Sequence, residues 1–276
     1  MKPAICHYSL HRRYKAENWT PLRLAQEVKS LGLEAVDFHA GLLGDPDTAV
    51  ERVTQALEQT GLTLSGFSLS TNFNQESPRD FQRQLDAAWQ WMQVAARLKA
   101  PVSRIFGGSL PEANRGDESY RHAAWGRMID GVAAAARQAE KLGLMLGLEN
   151  HGGLPCTADE QVRAIRNVNS PSLRATIDVG NYMSGGEEGH QATATVAPYA
   201  VYVHFKDNKK MPDASKPWGW NFQSCALGEG DVDLAACLEA LRRGGYDGYV
   251  ALEYEGVEDE SAGVPKCIAL MKKLLK

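Results

Sequence analysis

Short apolar segments alternate with longer helical ones along the whole chain, and this unit repeats eight times. Each apolar segment has the length and composition of a buried strand, whereas the segment after it has apolar residues at helical spacing. Strands that alternate with helices form a parallel sheet, because each crossover helix returns the chain to the same edge. The expected strands lie within residues 3–9, 35–39, 62–69, 101–106, 144–153, 175–181, 200–207 and 249–256.

The number of these units and the chain length together indicate how the sheet closes. Eight strand–helix units within 276 residues predict one α/β domain, a single (β/α)8 TIM barrel that covers residues 1–276. An open doubly wound sheet is the alternative, but no G-x-G-x-x-G motif follows the first strand. The expected helices cover residues 21–30, 45–60, 79–99, 119–142, 157–168, 191–197, 232–243 after a cap at Asp231, and 265–276.

The composition narrows the classes of function. The net charge of −4 argues against an enzyme that binds nucleic acid through a cationic surface. No apolar run reaches the roughly 20 residues that a membrane span needs, and the first residues lack the layout of a secretory signal. The five cysteines form no CxxC pair, so we expect reduced thiols in a cytoplasmic protein.

Four of the expected strands end in a residue that can bind a metal ion. These residues are Glu149, Asp178, His204 and Glu253, on strands five to eight. In a (β/α)8 barrel the carboxyl ends of all strands meet at one mouth, where catalytic groups lie. Three like charges that converge in a poorly hydrated pocket are costly without a cation. The pattern therefore predicts one divalent metal ion bound by all four side chains.

Three carboxylates and one imidazole make a hard, oxygen-rich set of ligands. Such a set suits Mn²⁺, Mg²⁺ or Co²⁺, and Zn²⁺ is also possible; Mn²⁺ is our first choice. The alternative is that each acid pairs separately with a Lys or Arg at the rim of the barrel. One acid alone fits either interpretation, whereas all four together favour the shared site.

Several segments give the chain a resemblance to a known family. They are Gly147–His151, Ile177–Asn181, Val203–Asp207, Leu227–Gly230 with Asp233, and Gly245 through Glu253. Over essentially its whole length the chain resembles the xylose isomerase-like TIM barrels, or sugar phosphate isomerases/epimerases. That family includes ketose 3-epimerases, hydroxypyruvate isomerases, inosose dehydratases and, more distantly, AP endonucleases of the endonuclease IV type. The resemblance implies the same four metal ligands, a small carbohydrate substrate and a homo-oligomer.

The resemblance also implies a mechanism. The substrate would carry adjacent hydroxyl and carbonyl oxygens that bind the metal ion, which would stabilise the enediolate formed when the neighbouring C–H loses its proton. Glu149 and Glu253 would act as acid and base on opposite faces of the substrate, which gives epimerisation or isomerisation. With a leaving group in the β position, the same site would support a lyase or dehydratase reaction instead.

Two positions depart from the ketose epimerases of this family. Asn181 stands where they carry a His three residues after the metal-binding Asp. Lys206, Lys209 and Lys210 stand where they carry an Arg shortly after the metal-binding His. An amide can bind a sugar hydroxyl but cannot donate a proton as an acid. This departure weakens the case for a free-ketose epimerase and strengthens that for a lyase or dehydratase acting on an oxidised sugar, glycoside or inosose.

The candidates for substrate binding are His151, Asn181, Lys206, His7, Trp218 and Trp220. His151 lies close to Glu149, but a packed histidine at the rim of the barrel fits equally well. Lys206 shares a strand face with His204, and a salt bridge at the surface is the alternative for it. His7 ends the first strand, as His39 ends the second. Trp218 and Trp220 fall in the long loop after strand seven, which suits stacking on a sugar or packing against a partner subunit.

Two further classes of protein are less favoured. A DNA-repair nuclease of the endonuclease IV type needs a multi-metal cluster with several more His ligands and a cationic groove. Seven histidines and a net charge of −4 do not suit either feature. A non-catalytic sugar-binding protein would not require acids on both faces of its ligand.

Overall fold

The structure is a computed structural model that describes residues 1–276, and eight of its strands form a closed parallel barrel. Their order around the barrel is β1-β10-β7-β6-β5-β4-β3-β2, and β8 and β9 form a separate two-stranded sheet. The predicted (β/α)8 barrel is confirmed. The strands are β1 (Lys2–Cys6), β2 (Ala35–His39), β3 (Thr63–Ser68), β4 (Ser103–Phe106), β5 (Leu146–Glu149), β6 (Leu173–Asp178), β7 (Ala200–Phe205), β8 (Asp207–Pro212), β9 (Trp220–Cys225) and β10 (Tyr249–Leu252).

Nine helices surround the barrel or lie at its mouth. Several begin at the capping residues that the sequence suggests; the side chain of Thr157, for example, accepts a hydrogen bond from the Glu160 amide. None of the helices has the length and apolar character needed to cross a membrane. The helices are α1 (His11–Ala16), α2 (Pro21–Ser30), α3 (Pro46–Thr60), α4 (Pro78–Arg97), α5 (Glu118–Leu142), α6 (Ala158–Val168), α7 (Gly189–Val196), α8 (Leu234–Arg243) and α9 (Glu260–Leu274).

The lumen of the barrel is filled below the mouth. A small cluster of buried residues around Tyr202 is separate from the large core that packs strands against helices. The Tyr202 hydroxyl lies 2.9 Å from Ser65 Oγ, and a Cβ on Gly66 would come within 3.0 Å of the Tyr202 ring. This packing closes the barrel, so the polar residues above it form a pocket open only at the mouth.

The register of the strands sets the height of each polar strand end. On neighbouring strands Asp178 is the partner of His204, and His204 is the partner of Ala251, two residues before Glu253. Glu149 is likewise the partner of Phe106. Side chains on a strand alternate between its two faces, so this register brings the predicted ligands to one level.

A close approach between β5 and β6 explains one glycine in the predicted motif. A Cβ on Gly147 would lie 2.1 Å from Thr176 Oγ1, so no larger residue fits there. Two positions further along the same strand, Glu149 points into the same space above it. Gly147 therefore lets β5 and β6 approach closely directly beneath the site.

Two predictions of local structure were wrong, and one helix was missed. Asp231 does not cap α8; it accepts a hydrogen bond from the Lys210 amide, and Asp233 provides the cap by accepting from Ala236. The last helix begins at Glu260, five residues before the predicted start at Pro265, because the Asp259 side chain caps it. Pro is preferred in the first turn of a helix, but Pro265 lies inside this one. The segment α1 was not predicted.

The long loop predicted after β7 is in fact a β-hairpin. Residues of β8 pair in antiparallel register with β9, from Asp207 opposite Cys225 to Pro212 opposite Trp220. The base of this hairpin is fixed by the buried Asp207 carboxylate, which accepts hydrogen bonds from the amides of Gly228, Gly230 and Val232. The chain is thereby held close to the barrel mouth before it enters α8.

Candidate active site

Four side chains from four neighbouring strand ends meet inside the mouth of the barrel. Each of Glu149, Asp178, His204 and Glu253 offers one ligand atom, and these atoms all lie within 4.8 Å of one another. All four residues are buried. The predicted convergence of these side chains is thus present in the structure, and the cluster could bind a metal ion.

The hydrogen bonds of these residues show which atoms are held and which are left. Glu149 Oε1 accepts from Asn181 Nδ2 at 3.1 Å. Asp178 Oδ1 accepts from the amides of Gly180 and Asn181, both at 2.9 Å. In contrast, the atoms Glu149 Oε2, Asp178 Oδ2 and His204 Nδ1 are buried and form no well-aligned hydrogen bond, although each lies 3.1–3.3 Å from an oppositely charged group of the same cluster. Buried polar atoms normally have hydrogen-bond partners, so three ligand atoms held only by ion pairs fit a divalent cation.

Asp37, on β2, holds the imidazole from below. His204 Nε2 lies 3.2 Å from Asp37 Oδ2, which also accepts a hydrogen bond from Ser68 Oγ at 2.7 Å. With Nε2 facing this carboxylate, His204 Nδ1 points at the cluster, 3.2 Å from Glu149 Oε2 and 3.6 Å from Glu253 Oε1. A carboxylate in this position fixes the orientation and tautomer of a metal-binding imidazole.

Two buried cations offset part of the negative charge. Arg104 Nε, on β4, lies 3.1 Å from Glu149 Oε2. Lys206 Nζ lies 2.8 Å from Glu253 Oε2 and 3.3 Å from both Asp178 Oδ2 and Glu255 Oε2. Both cations are almost fully buried, so their pairing with the carboxylates occurs where screening by water is weak.

The pKa values of the cluster reflect this competition between burial and charge. Burial raises the pKa of Asp178 to about 8, although Lys206 acts in the opposite direction. Burial also acts to raise the pKa of Glu253, but Lys206 and His204 outweigh it and lower that pKa well below its ordinary value. For His204, burial is outweighed by Glu253 and Glu149, which raise the pKa well above its ordinary value. The cluster therefore attracts positive charge strongly.

A cavity of about 160 Å³ opens from this cluster toward solvent. Two of its walls are aromatic pairs. Tyr8 stacks on His11 with ring centroids 4.1 Å apart, and Phe106 stacks on His151 at 4.0 Å. Tyr8, Phe106 and His151 give the cavity lining a partly aromatic character. The residues that line the cavity are Tyr8, His39, Ser70, Arg104, Phe106, His151, Glu253 and Glu255.

Three of the six predicted substrate-binding residues lie at this site. His151 lines the cavity, Asn181 donates to Glu149, and Lys206 contacts Glu253. Burial lowers the pKa of His151, so it is neutral at pH 7. The sequence analysis did not identify Arg104, whose only signal is a charged residue within an apolar strand, or Asp37, which precedes the end of β2 by two residues.

The other three predicted residues do not line the cavity. His7 is fully buried and packs edge-on against Tyr14, with ring centroids 4.3 Å apart. Trp218 and Trp220 lie at the hairpin, where their ring centroids are 6.1 Å apart. Trp218 packs on Gly186, where a Cβ would come within 2.5 Å of the indole. In this conformation neither tryptophan reaches the cluster of ligands.

A profile of the xylose isomerase-like TIM barrels matches residues 25–274. The chain belongs to this family. Its fold agrees with the resemblance noted in the sequence.

Relatives with assigned activities match most of the chain. An inosose dehydratase of Geobacillus kaustophilus is 21% identical over 272 residues, 93% of this chain and 86% of that protein. The L-ribulose-5-phosphate 3-epimerase UlaE of Escherichia coli K12 is 24% identical over 262 residues, 89% of this chain and 86% of that protein. Together they support an enzyme of the isomerase, epimerase or lyase type.

Two further comparisons are narrower in what they show. An uncharacterized protein of Methanocaldococcus jannaschii is 26% identical over 127 residues, and this chain covers only 40% of its length. A solved xylose isomerase-like TIM barrel protein from Mycobacterium smegmatis, in complex with magnesium, has a TM-score of 0.73 and 18% identity. That likeness covers 99% of this chain and 96% of the other and concerns the fold.

Proposed function

We propose that the protein is a divalent-metal-dependent isomerase or epimerase of a sugar or keto-sugar. The observation that carries this proposal is the convergence of Glu149 and Glu253 with Asp178 and His204, whose ligand atoms lie within 4.8 Å of one another. Both glutamates are buried, and Glu253 lines a cavity large enough for a small molecule only. The dehydratase and epimerase relatives support the same class of chemistry.

The four residues Glu149, Asp178, His204 and Glu253 would hold the metal ion. Mn²⁺ is our first choice, with Mg²⁺, Co²⁺ or Zn²⁺ as alternatives, because three of the four ligand atoms are carboxylate oxygens. When bound, such an ion would polarise a carbonyl group and lower the free energy of negative charge that develops on its oxygen. Asp37 would keep the His204 imidazole oriented toward the ion.

The two glutamates supply the proton transfers. Glu253 lines the cavity, and the Lys206 ammonium 2.8 Å away favours its ionised form, so it is suited to remove the proton from the carbon beside the carbonyl. The electrons of the broken C–H bond form the enediolate. If Glu149, protonated beforehand, gives its proton to the same carbon from the opposite face, that centre is epimerised, and the proton taken by Glu253 passes to solvent. If the neighbouring carbon receives the proton, aldose and ketose are interconverted.

A dehydratase or lyase that uses the same site is the second candidate. Asn181 occupies the position where ketose epimerases of the family carry a His. Here its side-chain amide donates a hydrogen bond to Glu149 Oε1 and accepts one from Lys206 Nζ at 3.3 Å. Asn181 thus organises two charged groups and offers no acid of its own. A β-hydroxyl or glycosidic group on the enediolate would then leave before the carbon is reprotonated.

Hydrogen exchange with solvent tests the proposal directly. The Mn²⁺-loaded protein is incubated in D₂O with a panel of ketoses, keto-sugars and inososes, and deuterium at the carbon beside the carbonyl is measured by NMR. We expect incorporation that depends on the metal ion, and product mass separates isomerisation (unchanged) from dehydration (loss of water). Absence of exchange with every compound in the metal-loaded protein would contradict both candidates.

A cytoplasmic location and a homo-oligomer stay predictions from the sequence.

A further inference from the structure

The cavity above the cluster has buried charged groups at its floor, and its more exposed lining combines hydroxyl-binding groups with one carboxylate, Glu255. Glu253 and Arg104 lie at the floor, beside the proposed reaction centre. At the rim, Ser70 Oγ lies 3.2 Å from His39 Nε2, and Tyr8 and His151 contribute a hydroxyl and an imidazole. The end of a substrate that is remote from the reacting carbons therefore meets this rim.

Arg104 is the one cation that lines the cavity, and its guanidinium is engaged on several sides. Its Nε lies 3.1 Å from Glu149 Oε2, and one terminal nitrogen donates a hydrogen bond to the Leu69 carbonyl at 3.0 Å. The guanidinium carbon lies 4.0 Å from the centroid of the Phe106 ring. A phosphate bound bidentately through Nε and the adjacent terminal nitrogen of Arg104 would have to displace the Glu149 carboxylate.

Lys206 is engaged in the same way. Its ammonium lies within 3.3 Å of Asp178, Glu253 and Glu255. Glu255 is the outermost of these carboxylates, with 32% of its side chain exposed, and it lines the cavity. Any phosphate that approached Lys206 through the cavity would meet the like charge of Glu255 first.

The charges around the cavity leave no positive excess. With the metal ion bound and His204 neutral, the five carboxylates Asp37, Glu149, Asp178, Glu253 and Glu255 face four positive charges, from Arg104, Lys206 and the divalent ion. Of these side chains, Glu253, Glu255 and Arg104 line the cavity itself. Two other basic residues, Arg12 and Lys210, pair with Glu260 and Glu188.

We infer that the site takes an unphosphorylated, uncharged polyhydroxy carbonyl compound, such as a free monosaccharide or a cyclic keto-polyol, and that Glu255 excludes sugar phosphates. This inference rests on the proposed function, because it assumes that the carbonyl end of the substrate reaches the cluster. It separates this chain from the L-ribulose-5-phosphate 3-epimerase to which it is similar. Glu255 is a specificity-determining residue in this assignment, and it discriminates by repulsion.

Binding of matched pairs of sugars tests the inference without requiring turnover. The Mn²⁺-loaded protein is titrated calorimetrically with L-ribulose and L-ribulose 5-phosphate, D-fructose and D-fructose 6-phosphate, and an inosose with its phosphate ester. In the pair that binds most tightly, we expect the affinity for the unphosphorylated sugar to exceed that for its phosphate ester by at least about tenfold. Tighter binding of a phosphate ester, or no binding of any uncharged compound, would overturn the inference.

Charge-neutral variants then assign the discrimination to one residue. Glu255→Gln removes the outer carboxylate and leaves Lys206 freer, so the relative affinity for the phosphate ester should rise about fivefold or more. Glu258→Gln is the matched control, because Glu258 is three residues away and pairs with Lys266. Glu255→Asp, which keeps the charge, should retain the preference and guards against a loss that merely reflects altered folding. An equal ratio in wild type and Glu255→Gln would overturn the role of Glu255.

The binding and exchange experiments distinguish failure of the inference from failure of the proposed function. If an uncharged sugar binds preferentially but no C–H exchange occurs, the inference holds and the proposed function fails. If exchange occurs with phosphate esters in preference to free sugars, the proposed function holds and the inference fails.

Discussion

Asp37 Oδ2 lies 3.2 Å from His204 Nε2, although the two residues are 167 positions apart in the chain. Both side chains are fully buried, and Ser68 holds the same carboxylate oxygen at 2.7 Å. The second oxygen of Asp37 has no hydrogen-bond partner. The pair thus has one function visible in its geometry: it orients His204 Nδ1 toward the carboxylates of the proposed metal site.

The first prediction concerns this pair. Asp37→Asn should weaken Mn²⁺ binding by about 10- to 100-fold. The reason is that the Asn side-chain amide no longer favours the His204 tautomer whose proton is on Nε2 and whose Nδ1 can bind the ion. Titration of Mn²⁺ followed by EPR of the free ion measures the affinity. Asp247→Asn is the control, since Asp247 is exposed and pairs with the N-terminal amine. Unchanged Mn²⁺ affinity in Asp37→Asn would remove the positioning role.

The second prediction separates the two glutamates from the residues around them. Glu149→Gln should lower solvent exchange by at least about 100-fold, because the proton-transferring group is lost, and it should also weaken metal binding. Asn181→Ala should mainly raise KM, since Asn181 contacts Glu149 and Lys206 but transfers no proton. Exchange kinetics with the best compound of the panel measure both effects. Full activity of Glu149→Gln would contradict the assignment.

The third prediction concerns stability at the base of the hairpin. Asp207→Ala leaves the amides of Gly228, Gly230 and Val232 without their acceptor. We expect the free energy of unfolding to fall by about 2 kcal/mol, since the unpaired buried amide of Val232 costs roughly 1–3 kcal/mol, whereas the partly buried glycine amides can bond water instead. Urea denaturation followed by circular dichroism measures the change.

The matched control for this stability experiment is Asp213→Ala. Asp213 lies in the surface turn of the same hairpin and accepts only from Ser215, so its loss should change the free energy of unfolding by less than about 1 kcal/mol. Equal destabilisation by the two variants would show that Asp207 does not anchor the segment.

The fourth prediction concerns acid stability. Burial lowers the pKa of His39 to about 3, whereas His in an unfolded chain titrates near about 6.5. Below pH 6.5 the unfolded chain therefore binds a proton that the folded protein does not. The contribution of neutral His39 is complete above pH 6.5 and is lost as the pH falls toward 3, by about 1.4 kcal/mol per pH unit.

Comparison of two variants isolates this effect from the titration of carboxylates. In metal-free buffer, His39→Gln should lose less stability between pH 6.5 and pH 5 than wild type. His122→Gln, at an exposed position on α5, should follow wild type. Urea unfolding at each pH provides the free energies, and parallel curves for His39→Gln and wild type would refute the prediction.

The four proposed ligands could be predicted from the sequence for a simple reason. Each ends an apolar strand, and the carboxyl ends of parallel strands share one edge of the barrel. The cap of α8 could not be predicted in this way. Two candidate caps, Asp231 and Asp233, precede the helix, and the hydrogen bond that Asp231 accepts from the Lys210 amide leaves Asp233 as the cap. Local propensity cannot rank two caps when one has a partner distant in sequence.

Arg104 and the two tryptophans of the hairpin illustrate the same limit of local sequence. A charged residue inside a short strand can face the lumen or the helices, and only the register of β4 beside β5 brings Arg104 to Glu149. Trp218 and Trp220 follow the pairing of β8 with β9, which depends on hydrogen bonds between segments that are separated by a turn. Neither orientation is a property of the local sequence.

By itself the sequence determined the eight strand–helix units, the edge of the sheet where polar groups collect, and the oxygen-rich character of the proposed ligands, because these follow from periodicity and residue type. Only the tertiary structure decided which polar atoms are satisfied and which are left facing a common point. That distinction depends on contacts between distant residues, such as Asp37 with His204 and Lys206 with Glu253, whose energies arise only when burial removes the competing water.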